Sequence, residues 1–369
     1  MILSLFLAGF LAGSGSDQAG GALWRLYERR DFFSLQRDLR AVLPADSARS
    51  QFLRAQTDAA FGRYEESGRM LRSLLQTKLL DAPLERAARE RLMLNERALF
   101  HYRAALSAIA PAMRSENLRN RAKLLAALQD VPPELSRVSG TVTLHADRFG
   151  AVQASVNGAA LHLGIDTGAN LSVLARSAAR RAGLHIRPAG YRVRLATGKA
   201  VAADIAVSRL HLGNAIELSN VAFLVLPDSA LRIGGRRTIN GLIGLPELSQ
   251  LGDVLFKADG TIVLNAARAA QTTEPIALIE GDPVVEVMRG PERIRCRIDT
   301  GSNRTILYDK FRTRMPVAFV IAGRTIHLRR PVSRLHANQP YVNCSLGRDA
   351  LRQIEPYSLD LHIMQLGLN

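Results

Sequence analysis

Leu161-His162-Leu163-Gly164-Ile165-Asp166-Thr167-Gly168-Ala169-Asn170 is one of two matching stretches in this chain. The other is Ile294-Arg295-Cys296-Arg297-Ile298-Asp299-Thr300-Gly301-Ser302-Asn303. Each is a short apolar strand running into Asp-Thr-Gly, and the two aspartates stand 133 residues apart. A lone carboxylate at a strand-to-turn corner says little. Two in matching contexts point to a duplicated half-site that sets two aspartates face to face. Carboxyls a few ångströms apart do not both ionise; they share a proton and can act as base and acid on one water.

A second repeat follows each copy. Asn240-Gly241-Leu242-Ile243-Gly244-Leu245-Pro246-Glu247-Leu248-Ser249-Gln250-Leu251 lies behind the first, and Asn343-Cys344-Ser345-Leu346-Gly347-Arg348-Asp349-Ala350-Leu351-Arg352-Gln353-Ile354 behind the second. Both read as a buried strand, a glycine and one helical turn. The glycine is expected where a Cβ would collide with a neighbouring loop. Asp-Thr-Gly followed by apolar-apolar-Gly resembles the retropepsin and pepsin family of aspartic peptidases, and Leu346-Gly347-Arg348-Asp349-Ala350-Leu351 is similar to the retroviral type. The resemblance covers about residues 140–369.

It implies an all-β bilobal acid-protease fold, with a first lobe at about 139–266 and a shortened second lobe at about 275–369. Asp166 to Gly244 spans 78 residues, and Asp299 to Gly347 only 48. Two unequal lobes in one chain imply a monomeric pseudodimer. Asp166 and Asp299 are the expected catalytic pair. Thr167 and Thr300 are expected to cross-bond the two loops, with Gly168 and Gly301 keeping backbone clear of the pair. Ser302 is expected to donate its hydroxyl to the outer oxygen of Asp299, a bond for which Ala169 offers no counterpart. The hairpin Tyr191 to Val207 carries Ala196-Thr197-Gly198-Lys199 at its tip, where the family has a substrate-binding flap. Its exposed backbone could hold an extended peptide as an added strand. The pepsin-type tyrosine is missing from that tip.

Before residue 130 the pattern changes. Residues 22–130 place Ala, Leu, Arg and Glu at helical spacing, and Val131-Pro132-Pro133 ends the run. Ala60-Phe61-Gly62-Arg63-Tyr64 looks like the turn inside a tetratricopeptide-type helix pair, with Tyr27-Glu28-Arg29-Arg30-Asp31-Phe32 and Phe100-His101-Tyr102-Arg103 about one repeat away on either side. The separations are unequal, so a plain helical bundle packed on the protease is the competing reading. Either form is expected to recruit a protein partner or gate access, and to be separable from short-peptide cleavage.

The formal charge of +16 is almost all arginine and is dispersed, +6 over residues 1–137 and +10 over 138–369. With few aromatics interleaved, this argues against a nucleic-acid surface. The apolar run Ile2–Ala12 is too short to span a membrane and suits a signal-peptide core, giving a leader and linker over 1–21 and a periplasmic or secreted destination. No Lys or Arg precedes that run, so a cytoplasmic chain with an apolar N-terminal helix is the alternative. Cys296 and Cys344 are expected close together, either reduced or bonded. No cofactor and no metal are expected, since neither the cysteines nor the eight scattered histidines have zinc spacing. Two functions fit the residues: a peptidase cutting an extended segment, or a peptide-binding scaffold on a protease-like fold.

Overall fold

The computed structural model describes residues 15–368 except 43–46, 78–79, 111–114, 148–149, 196–197, 234–236, 268–270, 309–310, 313–314, 330 and 335–340. The expected signal core, residues 2–12, therefore lies outside the described residues. No described helix is long and apolar enough to cross a membrane.

Seven helices come first: α1 Gly15–Glu28, α2 Phe32–Val42, α3 Ala48–Ala60, α4 Tyr64–Thr77, α5 Ala82–Ala98, α6 Tyr102–Ile109 and α7 Glu116–Leu128. Their starts follow from side-chain chemistry. Ser47, Asp81 and Ser115 each accept a hydrogen bond from the backbone N–H three residues on, meeting donors that the first helical turn leaves free. Pro83 occupies the first turn of α5, where its missing N–H costs nothing. The three stretches singled out in the sequence all fall at turns inside helix pairs. Each turns the chain through a positive φ, at Arg30, Gly62 and Phe100. Phe32, Phe52, Leu53, Leu71 and Met93 are buried along the stack, and each helix packs on the next.

The rest is two β lobes of one plan. In the first, strand Gly241–Ile243 lies between Ala159–Ile165, parallel, and Val173–Ala175, antiparallel. In the second, Cys344–Leu346 lies between Glu292–Ile298, parallel, and Ile306–Tyr308, antiparallel. The register places Cys296 opposite Cys344, and the two are joined as a disulfide. A six-stranded sheet unites the lobes: Val142–His145, Asp253–Phe256 and Thr261–Leu264 from the first side, Thr272–Pro275, Tyr357–Asp360 and Gln365–Leu368 from the second. Phe256 stacks on Tyr357 across that seam, ring centroids 4.9 Å apart.

The glycines after the two inserted strands meet the expectation of close approach. A Cβ on Gly244 would lie 2.7 Å from the Ala169 carbonyl oxygen, and one on Gly347 would lie 2.5 Å from the Arg304 carbonyl carbon. The helices pack directly on the lobes. Their buried side chains and those of both lobes form one continuous core. Arg30 pairs with Glu280 at 3.2 Å and Arg37 with Glu286 at 3.0 Å, both on the second lobe. Asn120 of α7 bonds both the N–H and the C=O of Arg192, in the outer strand of the expected flap hairpin. Cutting the chain at residue 130 would expose apolar surface that the helices cover.

Candidate active site

Each Asp-Thr-Gly turn leaves the end of its lobe's central strand, and the two turns interlock. Thr300 Oγ accepts from the Thr167 N–H at 3.1 Å and donates to the Ile165 carbonyl at 2.9 Å. Thr167 Oγ accepts from the Thr300 N–H at 3.1 Å and donates to the Ile298 carbonyl at 2.9 Å. Both threonines are buried, and each hydroxyl meets two partners of the opposite lobe, so the loops are held in one mutual position.

That lock brings the carboxylates together. A Cβ on Gly168 would lie 3.1 Å from Oδ1 of Asp166 and 3.1 Å from Oδ1 of Asp299, so both oxygens crowd one point. A Cβ on Gly301 would stand 2.5 Å from Asp166 Oδ1. Only glycine leaves that space open. The Gly168 N–H donates to Asp166 at 2.8 Å and the Ser302 N–H to Asp299 at 3.0 Å. Burial first, and the Asp299 charge second, push Asp166 up to about 6, against the pull of the Gly168 bond and Arg297.

Ser302 departs from expectation. Its hydroxyl donates to the Arg304 carbonyl at 2.9 Å and makes no bond to Asp299. The outer oxygen of Asp299 is taken by Arg297 instead, at 2.7 Å, with Ser345 Oγ at 3.5 Å. Arg297 stands two residues before Asp299, so alternation along the strand aims both side chains to one face. Its other nitrogens reach Ser345 at 3.2 Å and the buried Asp282 at 3.4 Å, and Asp282 accepts from the Tyr341 hydroxyl at 2.9 Å. The first lobe has Gly164 at the matching place. Sequence reading passed over Arg297 as one of many dispersed arginines; the signal was its i, i+2 spacing to Asp299.

Residues 152–246 match the aspartyl protease family. The matched segment holds the first Asp-Thr-Gly and its partner strand. A crystal structure of a retropepsin-like aspartic protease from Rickettsia conorii is similar over 36% of this chain and 95% of its own, at 19% identity and TM-score 0.27. A crystal structure of an aspartic proteinase from Irpex lacteus is similar over 62% of this chain and 97% of its own, at 12% identity and TM-score 0.42. No curated protein matches the sequence.

Of the expected flap tip, Ala196 and Thr197 lie outside the described residues. Gly198 and Lys199 close the turn: the Gly198 N–H donates to the Leu195 carbonyl at 2.8 Å and the Leu195 N–H to the Lys199 carbonyl at 2.9 Å. The flanking strands are Arg187–Arg194 and Ala200–Leu212. Among the described residues no cluster of three metal-ligating side chains occurs.

Proposed function

We propose that this chain is an aspartic endopeptidase that hydrolyses a peptide bond in an extended segment. The observation that carries the reading is the double threonine lock, which crowds the carboxyls of Asp166 and Asp299 around one point. A water held between them would lose a proton to the ionised carboxylate while the protonated partner polarises the scissile carbonyl. Arg297 contacts only the Asp299 side, which favours placing the pair's negative charge there and its proton on Asp166. Asp166 and Asp299 are thus assigned as the catalytic residues, with Thr167, Gly168, Thr300 and Gly301 fixing their geometry. Ser302 supports the site through its backbone N–H. The substrate would lie under the hairpin whose turn includes Gly198 and Lys199.

The purified full chain, incubated with a peptide library between about pH 4 and 8 and read by mass spectrometry, tests this. Cleavage that pepstatin blocks and that Asp166→Asn and Asp299→Asn abolish is the expected result. Peptides that bind but stay intact at every pH would favour the scaffold reading instead. The Cys296–Cys344 disulfide supports an oxidising, extracytoplasmic location, since such bonds rarely persist in reducing cytosol. Thiol labelling of the protein in its native host should find both cysteines blocked; free thiols would count against that location. We retain a tetratricopeptide-like role for the helices, supported by the paired turns at Arg30, Gly62 and Phe100.

A further inference from the structure

Strands Ala277–Ile279 and Asp282–Arg289 of the second lobe are joined by a turn of only two residues, Glu280 and Gly281, with Ile279 paired to Asp282 across it. Both turn residues have positive φ, 55° and 92°. Asn, Asp or Gly is the usual choice for the first of these places, because a longer side chain is strained in a left-handed conformation. Glu280 stands there against that preference. Such strain persists only where surrounding contacts hold it, and here the contact comes from the helices. Glu280 pairs with Arg30 at 3.2 Å, and Arg30 is itself left-handed, φ 54°, in the link between α1 and α2. The Arg30 guanidinium lies 5.0 Å from the centre of the Tyr27 ring and donates to the Tyr27 carbonyl at 3.3 Å. Both side chains of the pair are 32% exposed, so charge attraction alone is weak; what marks the pair is that each end is held in a strained backbone.

The same turn touches the surroundings of the aspartates on its other sides. Gly281 faces Asn170, four residues past Asp166: a Cβ there would lie 2.5 Å from Asn170 Oδ1. Asp282 is buried, accepts from the Tyr341 hydroxyl at 2.9 Å and meets Arg297 at 3.4 Å. Arg297 in turn holds Asp299 at 2.7 Å. Three consecutive residues thus meet the helices, the first lobe's motif loop and the arginine that serves Asp299. The turn also borders a cavity of about 860 Å³ at the helix–lobe junction, whose lining includes Arg97, Asn170 and Gly281, so it has room to shift when the tie to Arg30 is cut.

We propose that Glu280, Gly281 and Asp282 form a positioning turn through which the docked helices hold Arg297 against Asp299. Asp282 is the positioning residue, and the Arg30–Glu280 pair is the tie. The turn's effect on rate rests on the peptidase reading; its effect on proton binding by Asp166 and Asp299 does not. With the tie intact, Arg297 stabilises the singly ionised pair. With the tie cut, Asp282 gains freedom, Arg297 spends less time on Asp299, and the pair takes up its second proton at a higher pH. The other charged or titratable groups facing these residues are Arg91 and Glu90 beside Glu280, and Tyr308 and Tyr341 beside Arg297. Arg91 keeps its charge throughout, the tyrosines are neutral at acidic pH, and Glu90 lies on the helix side of the tie.

The test follows the lower apparent pKa of the pair by carbon NMR of the full-length protein labelled at aspartate Cγ, the two resonances being identified through Asp166→Asn and Asp299→Asn. Glu280→Gln and Arg30→Met should each raise that value by about 0.3 units or more, an increase of about twofold or more in proton affinity. By charge alone the two would act oppositely, since one deletes an anion and the other a cation, so a rise in both marks repositioning. Arg30→Lys, which keeps the charge, should raise it less. In an Arg297→Met background both shifts should vanish, because no guanidinium is left to reposition. Melting temperatures show which variants fold, and either one that folds decides the background comparison. A rise below about 0.3 units in a folded variant, or shifts that simply add to that of Arg297→Met, overturn the inference. In the peptide assay the acidic limb of kcat/KM should move upward with the NMR value. Protein that cleaves nothing yet shows these NMR shifts keeps the tie and loses the peptidase reading; an active parent whose titration ignores both variants loses the tie alone.

Discussion

Replacing Arg297 by methionine should move the acidic limb of the pH–rate profile upward by about one to two units. The Arg297–Asp299 contact is 2.7 Å, and the two side chains are only 18% and 12% exposed, so solvent screens it little. A hydrogen bond between ionised groups in such a setting is worth about 1.5–3 kcal/mol. One pKa unit corresponds to about 1.4 kcal/mol, which gives the stated shift. The sign follows from which form the cation favours. A guanidinium beside the pair stabilises its singly ionised, working form, so that form persists to lower pH while Arg297 is present. Removing it makes protonation easier, and activity fails at a higher pH on the acid side. The two carboxyls titrate as a pair, so the profile reports the pair and not one residue.

Methionine keeps the length of the stem while deleting the charge. The substitution also leaves Asp282 facing Tyr341 alone. Burial already pushes Asp282 upward, against Arg297 and the Tyr341 bond, and without Arg297 it should take up a proton. Asp282→Asn combined with Arg297→Met therefore removes that side effect and should leave the same shifted limb. Arg297→Lys keeps the charge without the forked geometry and should shift the limb less. The measurement is kcat/KM from about pH 3 to 8 for each variant. If the acidic limb of Arg297→Met, alone and with Asp282→Asn, stays within about 0.3 units of the parent, the guanidinium does not bias the pair and the argument fails.

Asp166→Asn and Asp299→Asn should each reduce turnover to background; Asp166→Asn should leave the melting temperature nearly unchanged, whereas Asp299→Asn should lower it by taking the counter-charge from Arg297, and near-normal turnover in either would break the shared-water scheme. Thr300→Val removes a buried hydroxyl that satisfies the Thr167 N–H and the Ile165 carbonyl, and denaturant unfolding should show a loss of about 2–4 kcal/mol. Gly301→Ala places a methyl 2.5 Å from the Asp166 carboxylate, so cleavage should be lost with little change in circular dichroism. Glu134 and Glu247 form a buried pair that burial holds above the usual 4.5, up to about 9 and about 7. Folding then gains from their protonated forms below about pH 4.5, and that gain is lost as the pH rises toward those values. The melting temperature should fall across that range, and Glu134→Gln should flatten the fall.

Local repeats made most of the site readable. Asp-Thr-Gly is contiguous, and its strand, glycine and turn chemistry are set by neighbours in sequence, so duplication announced both halves. The helix pairs were readable for the same reason, since Gly62, Phe100 and Arg30 punctuate an apolar period that repeats every few residues. What escaped was chemistry that depends on which face of a strand meets which distant element. The resemblance suggested Ser302 as the donor to Asp299 because it follows the motif directly. The structure turns that hydroxyl to Arg304 and lets Arg297 reach Asp299 from the strand before it.

The cavity at the helix–lobe junction escaped for a stronger version of that reason. Arg97 belongs to α5, Asn170 to the first lobe's motif loop and Gly281 to a turn of the second lobe, and no sequence period links the three. Their meeting is a product of the continuous core that ties the helices to the lobes. The packing of the helices on both lobes is therefore also what brings Arg97, Asn170 and Gly281 to one cavity.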